Sequence, residues 1–418
     1  MGIGDSEFSV RATLHLNACP LQLSRRLPIL GELRPSSSAA HTKQNPLHPF
    51  RFLRSFLFKT LPLPASQAMT SLHRTSAALL FLALCSTCLA SPKDGRLDIY
   101  WIDVEGGAAT LIVTPAGETV LIDTGNIGRR DPDRIVKTLG EVAGMKQLDH
   151  VIVTHYHSDH FGGTTTLAEL VPILNLWDNG TFPDMPDNPG KAYFDVKVKQ
   201  KHVLSPGSKV PLKQTENRKE MHEVSLQCIG TRKTFIDPPA GTPENKEVCA
   251  AAKEKERDGS DNANSVVSVL DFGPFRFYDA GDLTWNQETR LVCPKNLIGK
   301  VDVYQVTHHG LDSSNNPLVL RSLEPRVAIM NNGTTKGCLP EVFANLKETK
   351  SLEALYQVHK NLRPDGATSN APDEYIANKE EQCKAHYIKL SVAADGKNYT
   401  VSIPANKHER TYNTRASK

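Results

Sequence analysis

The sequence lacks three features that would each point to a class of protein. Its 418 residues carry 49 Lys and Arg against 46 Asp and Glu, so the formal net charge is only +3. A charge of this size neither supports nor excludes nucleic acid as a partner. After Ala90 no cysteine stands in a CxxC pair, which argues against a cysteine-based zinc site. No long apolar run follows Ala90, so the sequence predicts no integral membrane segment in the remainder.

The N-terminal part differs in composition from the rest of the chain. Residues 1–68 are rich in Arg, Ser, Pro and Leu and show no sustained periodicity. The following stretch, "MTSLHRTSAALLFLALCSTCLA", combines a basic start, a short apolar run and small residues, which is the layout of a secretory signal peptide. We therefore interpret 69–90 as a signal peptide and 1–68 as a non-native or disordered extension; an uncleaved anchor or a buried core segment are the alternatives. This predicts an exported protein, periplasmic or secreted, with a mature chain of 91–418.

From residue 97 onwards, strand-like runs alternate with helical ones. The runs "LDIYWIDV", "GGAATLIVTP" and "TVLIDTG" predict consecutive antiparallel strands. Helical spacing follows in "DPDRIVKTLGEVAG" and "GGTTTLAELV", with the buried strand candidate "LDHVIVTH" between them. Later strand candidates are "SVVSVLDFG", "FRFYDAGD", "VDVYQVTHHG", "RVAIMNNG" and a closing hairpin at Asp395-Gly396. This alternation predicts a layered α/β sandwich.

Residues 175–261 are different, because they are rich in Pro, Lys, Glu and Asn. We interpret them as an irregular insertion or substrate-facing region in which "AYFDVKV" is the strongest strand candidate. The basic run "VKVKQKH" is the clearest candidate for contact with nucleic acid, and a solvated strand face is the alternative. An exported protein can oxidise its cysteines, and plausible pairs are Cys228 with Cys249 and Cys338 with Cys383.

The strongest chemical signal is "VIVTHYHSDHFGG", three histidines and an aspartate directly behind a β-branched run. His155 and His157 are two residues apart on extended backbone, so both imidazoles can reach one cation. Asp159 and His160 lie a turn further on and can reach a second cation. Imidazole and carboxylate ligands suit zinc, with manganese or iron as alternatives. The pattern predicts a loop that binds two divalent metal ions rather than a histidine-rich polar turn.

The stretch "THYHSDHFGG" resembles the signature of the metallo-β-lactamase superfamily, hydrolases with a four-layer αββα sandwich. "TVLIDTG", "FYDAGD" and "VTHHG" resemble further motifs of that superfamily, and they occur in its order between residues 97 and 332. The resemblance implies that Asp123 is a structural aspartate, that Asp282 bridges the two metals, and that a histidine of the last motif is a ligand.

A narrower resemblance is to the hydrolase domain of ComEC-type competence proteins. It rests on "IDVEGGAATLIVTPAGETVLIDTG", "NSVVSVLDFGPFRFYDAGDL" and "THHGLDSSN". In those proteins the domain is fused to a DNA-uptake channel and is implicated in degrading the non-transported strand; relatives of the branch include extracellular phosphodiesterases that act on phosphocholine. The resemblance implies a stand-alone exported version of this domain.

Two ligand assignments keep alternatives within this resemblance. Asp282 is favoured over Asp279 as the bridge, because Gly-Asp is the matching dipeptide. His309 is favoured over His308 as a ligand, which would leave His308 facing the substrate as a proton donor or phosphate contact.

The superfamily's further histidine, expected shortly before the bridging aspartate, is absent. "DNANS" stands there instead, as in ComEC-type domains. Asn264 could coordinate weakly, orient a water or hold substrate, or it could only cap the next strand. The first metal would then have His155, His157 and Asp282 but no third imidazole. We expect that metal to bind less tightly or to keep an open position.

Two such cations would activate a bridging water as a hydroxide nucleophile and stabilise the developing charge. Asp159 would fix the second metal and could take a proton, while His308 could protonate the leaving group. Ser313, Ser314 and Asn315 would offer substrate contacts, with a plain polar loop as the alternative. The sequence thus predicts an exported dinuclear hydrolase of small-molecule or oligonucleotide phosphodiesters, of undetermined oligomeric state. The alternatives are a β-lactam, lactone or thioester hydrolase with the same site and a non-catalytic surface binding protein.

Overall fold

The computed structural model describes residues 94–215 and 222–415. The predicted extension 1–68 and the predicted signal peptide 69–90 lie outside the described residues. Within the described ranges, no helix is both long enough and apolar enough to cross a membrane.

Strands dominate the described chain. In chain order they are β1 (Leu97–Trp101), β2 (Thr110–Val113), β3 (Thr119–Ile122), β4 (Leu148–Ile152), β5 (Ile173–Asp178), β6 (Gln200–Val203), β7 (Lys209–Val210), β8 (Val224–Thr231), β9 (Thr234–Phe235), β10 (Val267–Phe272), β11 (Phe275–Asp279), β12 (Val303–Gln305), β13 (Val327–Met330), β14 (Ala354–His359), β15 (Ile376–Asn378), β16 (Ile388–Val392), β17 (Asn398–Ile403) and β18 (His408–Asn413).

The helices are short and lie mostly between strands. They are α1 (Arg130–Lys137), α2 (Ser158–Phe161), α3 (Thr164–Leu170), α4 (Lys191–Phe194), α5 (Lys246–Cys249), α6 (Trp285–Val292), α7 (Pro317–Leu323) and α8 (Pro340–Glu348). A π-helical turn at Thr138–Val142 extends α1, and a 3-10 turn at Asp261–Asn264 precedes β10.

The strands of the described residues form two mixed sheets. The first has the order β18-β17-β16-β1-β2-β3-β4-β5-β6, and the second has the order β15-β14-β13-β12-β11-β10-β8-β7 with β9 paired to β8. Strands β1 to β3 are antiparallel neighbours, and β16 and β17 form a hairpin, so both predictions are confirmed. From β3 to β6 and from β11 to β15 the pairing is parallel, which brings the carboxyl ends of several strands to one edge of each sheet.

Strand alternation divides the core into three layers. Ile99 and Trp101 of β1 pack between the two sheets, whereas Tyr100 packs on the other face of the first sheet, against α1 and α3. Leu270 of β10 joins the same central layer, while its neighbour Val269 packs against the helices that cover the second sheet. Successive side chains of a strand point to opposite faces, so each sheet has helices on one side and its partner sheet on the other. The predicted four-layer αββα sandwich is confirmed.

The segment 175–261 contains more strand than we predicted. It includes β8, whose eight residues pair with β10 in the second sheet. The strand prediction for "AYFDVKV" is wrong, because this stretch forms α4 and a turn. Tyr193 and Val196 are buried while Phe194 is largely exposed, and burial three residues apart fits a helical turn rather than a strand.

The disulfide predictions are also wrong. The structure joins Cys249 to Cys293, with 5.7 Å between their Cα atoms. Cys228 and Cys338 are free and buried in different hydrophobic layers, and Cys383 is free and half-buried. The observed pair links the last residue of α5 to the residue that follows α6. These two short helices are far apart in the sequence, so the pairing depends on the tertiary fold.

Candidate metal centre

The predicted ligands all follow the carboxyl ends of strands. His155 and His157 come after β4, Asp282 comes after β11, and His309 comes after β12. Because these strands run parallel to their neighbours and meet at one edge of the sandwich, the loops that follow them converge.

Four of these side chains form one compact group, which we call the inner half-site. The potential ligand atoms of Asp159, His160, Asp282 and His309 all lie within 4.8 Å of one another. His160 Nε2 is 3.1 Å from Asp282 Oδ2, and His309 Nε2 is 3.2 Å from Asp159 Oδ2. His160, His309 and Asp282 are buried.

Hydrogen bonds hold both inner imidazoles by their other nitrogen. His160 Nδ1 lies 2.7 Å from Asp123 Oδ2, and His309 Nδ1 lies 3.3 Å from the carbonyl oxygen of Asn331. Asp123 also accepts from the Thr154 backbone N–H and hydroxyl, which fixes the carboxylate itself. Outer partners of this kind set the tautomer and ring orientation of a metal-binding histidine. Here they direct both Nε2 atoms towards the same point.

A second group, which we call the outer half-site, consists of His155, His157 and Asp282, again with potential ligand atoms within 4.8 Å. His155 is fully buried and its Nδ1 lies 3.0 Å from the Thr154 hydroxyl. His157 is less enclosed: its side chain is 28% exposed and its Nε2 lies 3.2 Å from Asp187 Oδ2.

Asp282 belongs to both half-sites. Its Oδ2 is 3.9 Å from His155 Nε2 and 3.4 Å from His309 Nε2. The competing candidate, Asp279, belongs to neither group and accepts the Gly281 N–H at 3.0 Å. Burial raises the pKa of Asp279 to about 7, which suits a carboxyl group with a structural rather than an ionic role.

The donor set fits metal ions. His160 Nε2 and His309 Nε2 lie 3.2 Å apart although the Nδ1 atom of each ring already has an acceptor, so two neutral rings would face each other with lone pairs, and a proton or a metal ion is needed between them. His155 Nε2 is buried without a hydrogen-bond partner. Buried polar atoms of this kind call for a ligand. Imidazole and carboxylate donors suit zinc and similar divalent ions.

The charges of the inner half-site are strongly coupled. Burial opposes ionisation of Asp282 and Asp159, but the adjacent histidines hold the pKa of each carboxyl below its usual range. Burial likewise opposes a charge on His160, but Asp282, Asp123 and Asp159 together raise its pKa. In the absence of a metal, protons therefore balance these carboxylates, and metal binding should release them.

The two histidines after β12 have different surroundings. Both have left-handed backbone, with φ of 54° at His308 and 55° at His309, a costly conformation that recurs at functional sites. His309 is part of the inner half-site, whereas His308 is not. Burial lowers the pKa of His308 to about 4, which keeps its imidazole neutral near pH 7. Of the two predicted roles of His308, proton donor or phosphate contact, a neutral ring favours the contact.

The residues predicted to contact substrate lie next to His308 and in the 3-10 turn before β10. The hydroxyls of Ser313 and Ser314 lie 3.0 Å and 3.2 Å from His308 Nδ1, so both orient His308. The Asn264 side chain donates to Asp261 Oδ1, and within the described residues it has no hydrogen bond to a histidine of the centre. Its neighbour Asn262 is the amide that lies 3.4 Å from His308 Nε2. In a 3-10 turn, adjacent side chains point in different directions, which a sequence pattern does not resolve.

Sequence reasoning also missed two residues of the centre. The Lys336 ammonium group contacts Asp159 Oδ2, from the loop that follows β13. Asp187 approaches His157 from the segment that we had interpreted as irregular. Neither stands in a motif, and the only signal was their position in loops after strands of the sheets.

The αββα sandwich presents a histidine–aspartate centre at its strand ends, and this donor set fits divalent metal ions. Residues 102–238 match the family described as the Metallo-beta-lactamase superfamily, in agreement with the predicted resemblance.

Three proteins of known sequence are similar to parts of this chain. The chain is 27% identical over 271 residues to ComE operon protein 3 of Bacillus subtilis, covering 61% of this chain and 30% of that protein. It is 24% identical to Recombination protein 2 of Haemophilus influenzae, covering 60% of this chain and 26% of that protein. The predicted similarity to ComEC-type proteins is confirmed. A shorter stretch of 89 residues is 37% identical to a UPF0173 metal-dependent hydrolase of Cupriavidus taiwanensis, covering 20% of this chain and 28% of that protein.

The chain thus spans less than a third of the length of each of these three relatives. Among solved structures, Zn(2+)-bound PqqB from Methylobacterium extorquens is similar with a TM-score of 0.36 and 13% identity, covering 63% of this chain and 97% of that one.

Proposed function

We propose that this protein is an exported, dinuclear metal-dependent hydrolase that cleaves phosphodiesters. The observation that carries the proposal is the position of Asp282, whose carboxylate belongs to both half-sites. A single carboxylate shared by two ligand groups is the arrangement expected for a pair of metal ions. Export is supported by the signal-peptide pattern at 69–90.

His155, His157 and Asp282 would hold one metal ion, and Asp159, His160, His309 and Asp282 would hold the other. When bound, such ions supply Lewis-acid polarisation of a phosphoryl oxygen and activation of water. Zinc fits the donors best, and manganese or iron would also be accommodated.

An anionic substrate is supported by Lys336. Its ammonium group reaches the centre through Asp159, and its side chain remains 38% exposed. If metal ions take over Asp159, Lys336 becomes available to a negatively charged oxygen at the mouth of the centre. A phosphodiester carries such an oxygen, which favours it over a neutral lactone or thioester. The resemblance to ComEC-type hydrolase domains, which are implicated in degrading a DNA strand, favours the same class of substrate.

His308 would contact the substrate without supplying the proton itself. In the tautomer whose Nδ1 accepts from a serine hydroxyl, the Nε2–H is left to donate; Nε2 lies 3.4 Å from Asp282 Oδ2 and 3.4 Å from the Asn262 amide nitrogen. We expect this N–H to donate a hydrogen bond to a phosphoryl or leaving-group oxygen. Asp159, whose pKa is held low, acts as a ligand rather than as a proton acceptor.

The test is a set of hydrolysis assays on the metal-reconstituted chain. The substrates are bis(p-nitrophenyl) phosphate, single-stranded DNA, nitrocefin and a lactone. We expect hydrolysis of one or both phosphodiesters, and a loss of about 1000-fold or more in Asp282→Asn. The matched control is Asp279→Asn, which replaces a neighbouring buried carboxyl outside the centre and should retain most activity.

Three results would overturn the proposal. Activity on nitrocefin or the lactone alone would assign the same centre to a β-lactam or lactone hydrolase. Unchanged phosphodiesterase activity in Asp282→Asn would show that the two half-sites do not carry the reaction. Stoichiometric metal binding without turnover of any of the four substrates would favour the non-catalytic alternative.

A further inference from the structure

A third group of potential ligands lies outside the centre. Asp103 follows β1, His359 is the last residue of β14, and Cys383 lies between β15 and β16. Their potential ligand atoms all lie within 4.8 Å of one another, although the three residues come from distant parts of the chain. None of them belongs to either half-site.

We propose that Asp103, His359 and Cys383 form a separate site for one thiophilic divalent cation, with zinc as the best fit. A thiolate, an imidazole and a carboxylate are all zinc ligands, and the thiolate excludes hard cations such as magnesium and calcium. With three protein ligands, the fourth tetrahedral position would be left to water.

The distances suit such a cation. Cys383 Sγ is 2.8 Å from Asp103 Oδ2, and His359 Nε2 is 3.6 Å from the same oxygen. Ligand atoms around a tetrahedral zinc ion lie roughly 3 to 4 Å apart, given the usual metal–ligand bond lengths. The second distance lies in this range and the first is slightly shorter, so small side-chain rotations would bring the three atoms to ligand spacing.

The independent sign of a missing ligand is His359. Its side chain is fully buried, yet neither ring nitrogen has a hydrogen-bond partner. A buried imidazole is normally satisfied at one or both nitrogens, because an unmet polar atom costs about 1 to 3 kcal/mol. A cation next to Asp103 would provide the missing bond. The rings of the catalytic centre, by contrast, each have at least one partner.

The surrounding charges would balance a divalent ion. Arg134 lies 3.3 Å from Asp103 Oδ2 and 3.7 Å from Cys383 Sγ, but it also pairs with Glu105 at 2.8 Å. Glu105 also pairs with Arg130, which in turn pairs with Asp131, so these two carboxylates neutralise the two guanidinium groups. A carboxylate at Asp103 and a thiolate at Cys383 then match the two positive charges of the metal. Arg134 would remain as an outer partner that stabilises both anionic ligands.

The site would join three separate segments next to the catalytic centre. The loop that begins at Asp103 continues to Gly106, whose backbone lies against Gly333 in the loop that carries Lys336. The His359 carbonyl accepts a hydrogen bond from Asn332 in that same loop at 2.7 Å. A metal here would therefore stabilise the loop that brings Lys336 to the centre, without contacting substrate.

Cobalt substitution tests this site independently of any hydrolase activity. Both half-sites contain only nitrogen and oxygen donors, so a thiolate-to-cobalt charge-transfer band in the near ultraviolet would report a cysteine ligand specifically. We expect the band in the cobalt-loaded full chain and its complete loss in Cys383→Ser. It should persist in Cys228→Ser, a matched control at another free cysteine, and in Asp282→Asn, which disrupts the catalytic centre.

Zinc content provides a second readout. After dialysis, Cys383→Ser and His359→Gln should each retain one equivalent less than Cys228→Ser, and circular dichroism should show that all three are folded. If Cys383→Ser does not fold, His359→Gln carries the test. A band that survives in Cys383→Ser, no band in the parent chain, or equal zinc content in all three variants would overturn the proposal. The cluster would then be a buried His359–Asp103 ion pair.

Discussion

The inner and outer half-sites share Asp282 but differ in how firmly the protein holds their other ligands. In the inner half-site, His160 and His309 are buried and each is fixed through Nδ1, to Asp123 and to the Asn331 carbonyl. In the outer half-site His157 is partly exposed and is held by Asp187, a side chain that is itself 38% exposed.

This difference indicates that one shared carboxylate can serve two sites with unequal affinity for metal. Preoriented, buried ligands lose little entropy on binding a metal, whereas exposed ones must be ordered first. The outer half-site also lacks the third imidazole that the superfamily resemblance led us to expect. The inner half-site should therefore bind its metal more tightly than the outer one.

The largest expected effect is a difference in the free energy of unfolding between substitutions in the two half-sites. His160→Ala should abolish hydrolysis and lower the free energy of unfolding by about 3 kcal/mol or more, because it leaves Asp123 buried without its charged partner. The matched variant His157→Ala should also impair hydrolysis but change that free energy by less than about 1 kcal/mol. Urea denaturation of the metal-free chains measures both values. Equal destabilisation by the two substitutions would contradict the contrast.

Substitution of Asp187 tests whether metal binding at the outer half-site depends on the contact between Asp187 and His157. Asp187→Asn should weaken metal binding at the outer half-site by about 10- to 100-fold, as loss of an outer partner of a ligand histidine does. The inner half-site should be unaffected. Competition with a chromophoric chelator measures the two affinities, and Asp184→Asn, an exposed aspartate in the same loop, is the control. A loss confined to the inner half-site would reverse the assignment.

Substitution of Lys336 tests whether an anionic substrate binds next to the inner half-site. Lys336→Ala should raise the KM for bis(p-nitrophenyl) phosphate about tenfold, a cost of about 1.4 kcal/mol for one lost charged contact. Metal retained after dialysis should not fall, because the substitution removes a cation that competes for Asp159. Lys336→Arg should keep most of the affinity. An unchanged KM together with a loss of metal would make Lys336 a structural residue.

The smallest effect concerns the orientation of His308. Ser314→Ala should lower kcat about fivefold or less, because Ser313 still reaches Nδ1 and a single hydrogen bond contributes about 1 kcal/mol. Replacing both serines with alanine should have a clearly larger effect than the sum of the single changes in free energy. Strictly additive effects of the two serines would mean that they do not share this role.

Local patterns predicted the part of the centre that lies within motifs. His155, His157, Asp159 and His160 occupy six consecutive positions, so backbone periodicity alone places them near each other. The sandwich was predictable for the same reason, since alternation along β1 to β4 and β10 to β13 reflects burial on two faces.

What depended on distant parts of the chain was not predictable. Lys336 and Asp187 reach the centre only because loops after strands β13 and β5 fold over the same edge. The Cys249–Cys293 pair likewise depends on how two short helices meet. The role of Asn264 stays a prediction, and Asn262, two residues earlier in the same turn, is the amide that lies next to His308.

Stepwise metal loading tests the central claim most directly. Zinc is added to the metal-free Cys383→Ser chain, which lacks the thiolate ligand of the proposed third site, while hydrolysis of bis(p-nitrophenyl) phosphate is followed. We predict little activity through the first equivalent, which fills the inner half-site, and a rise to the maximum with the second. Full activity at one equivalent, or hydrolysis that does not depend on added metal, would contradict a reaction that needs both half-sites around Asp282.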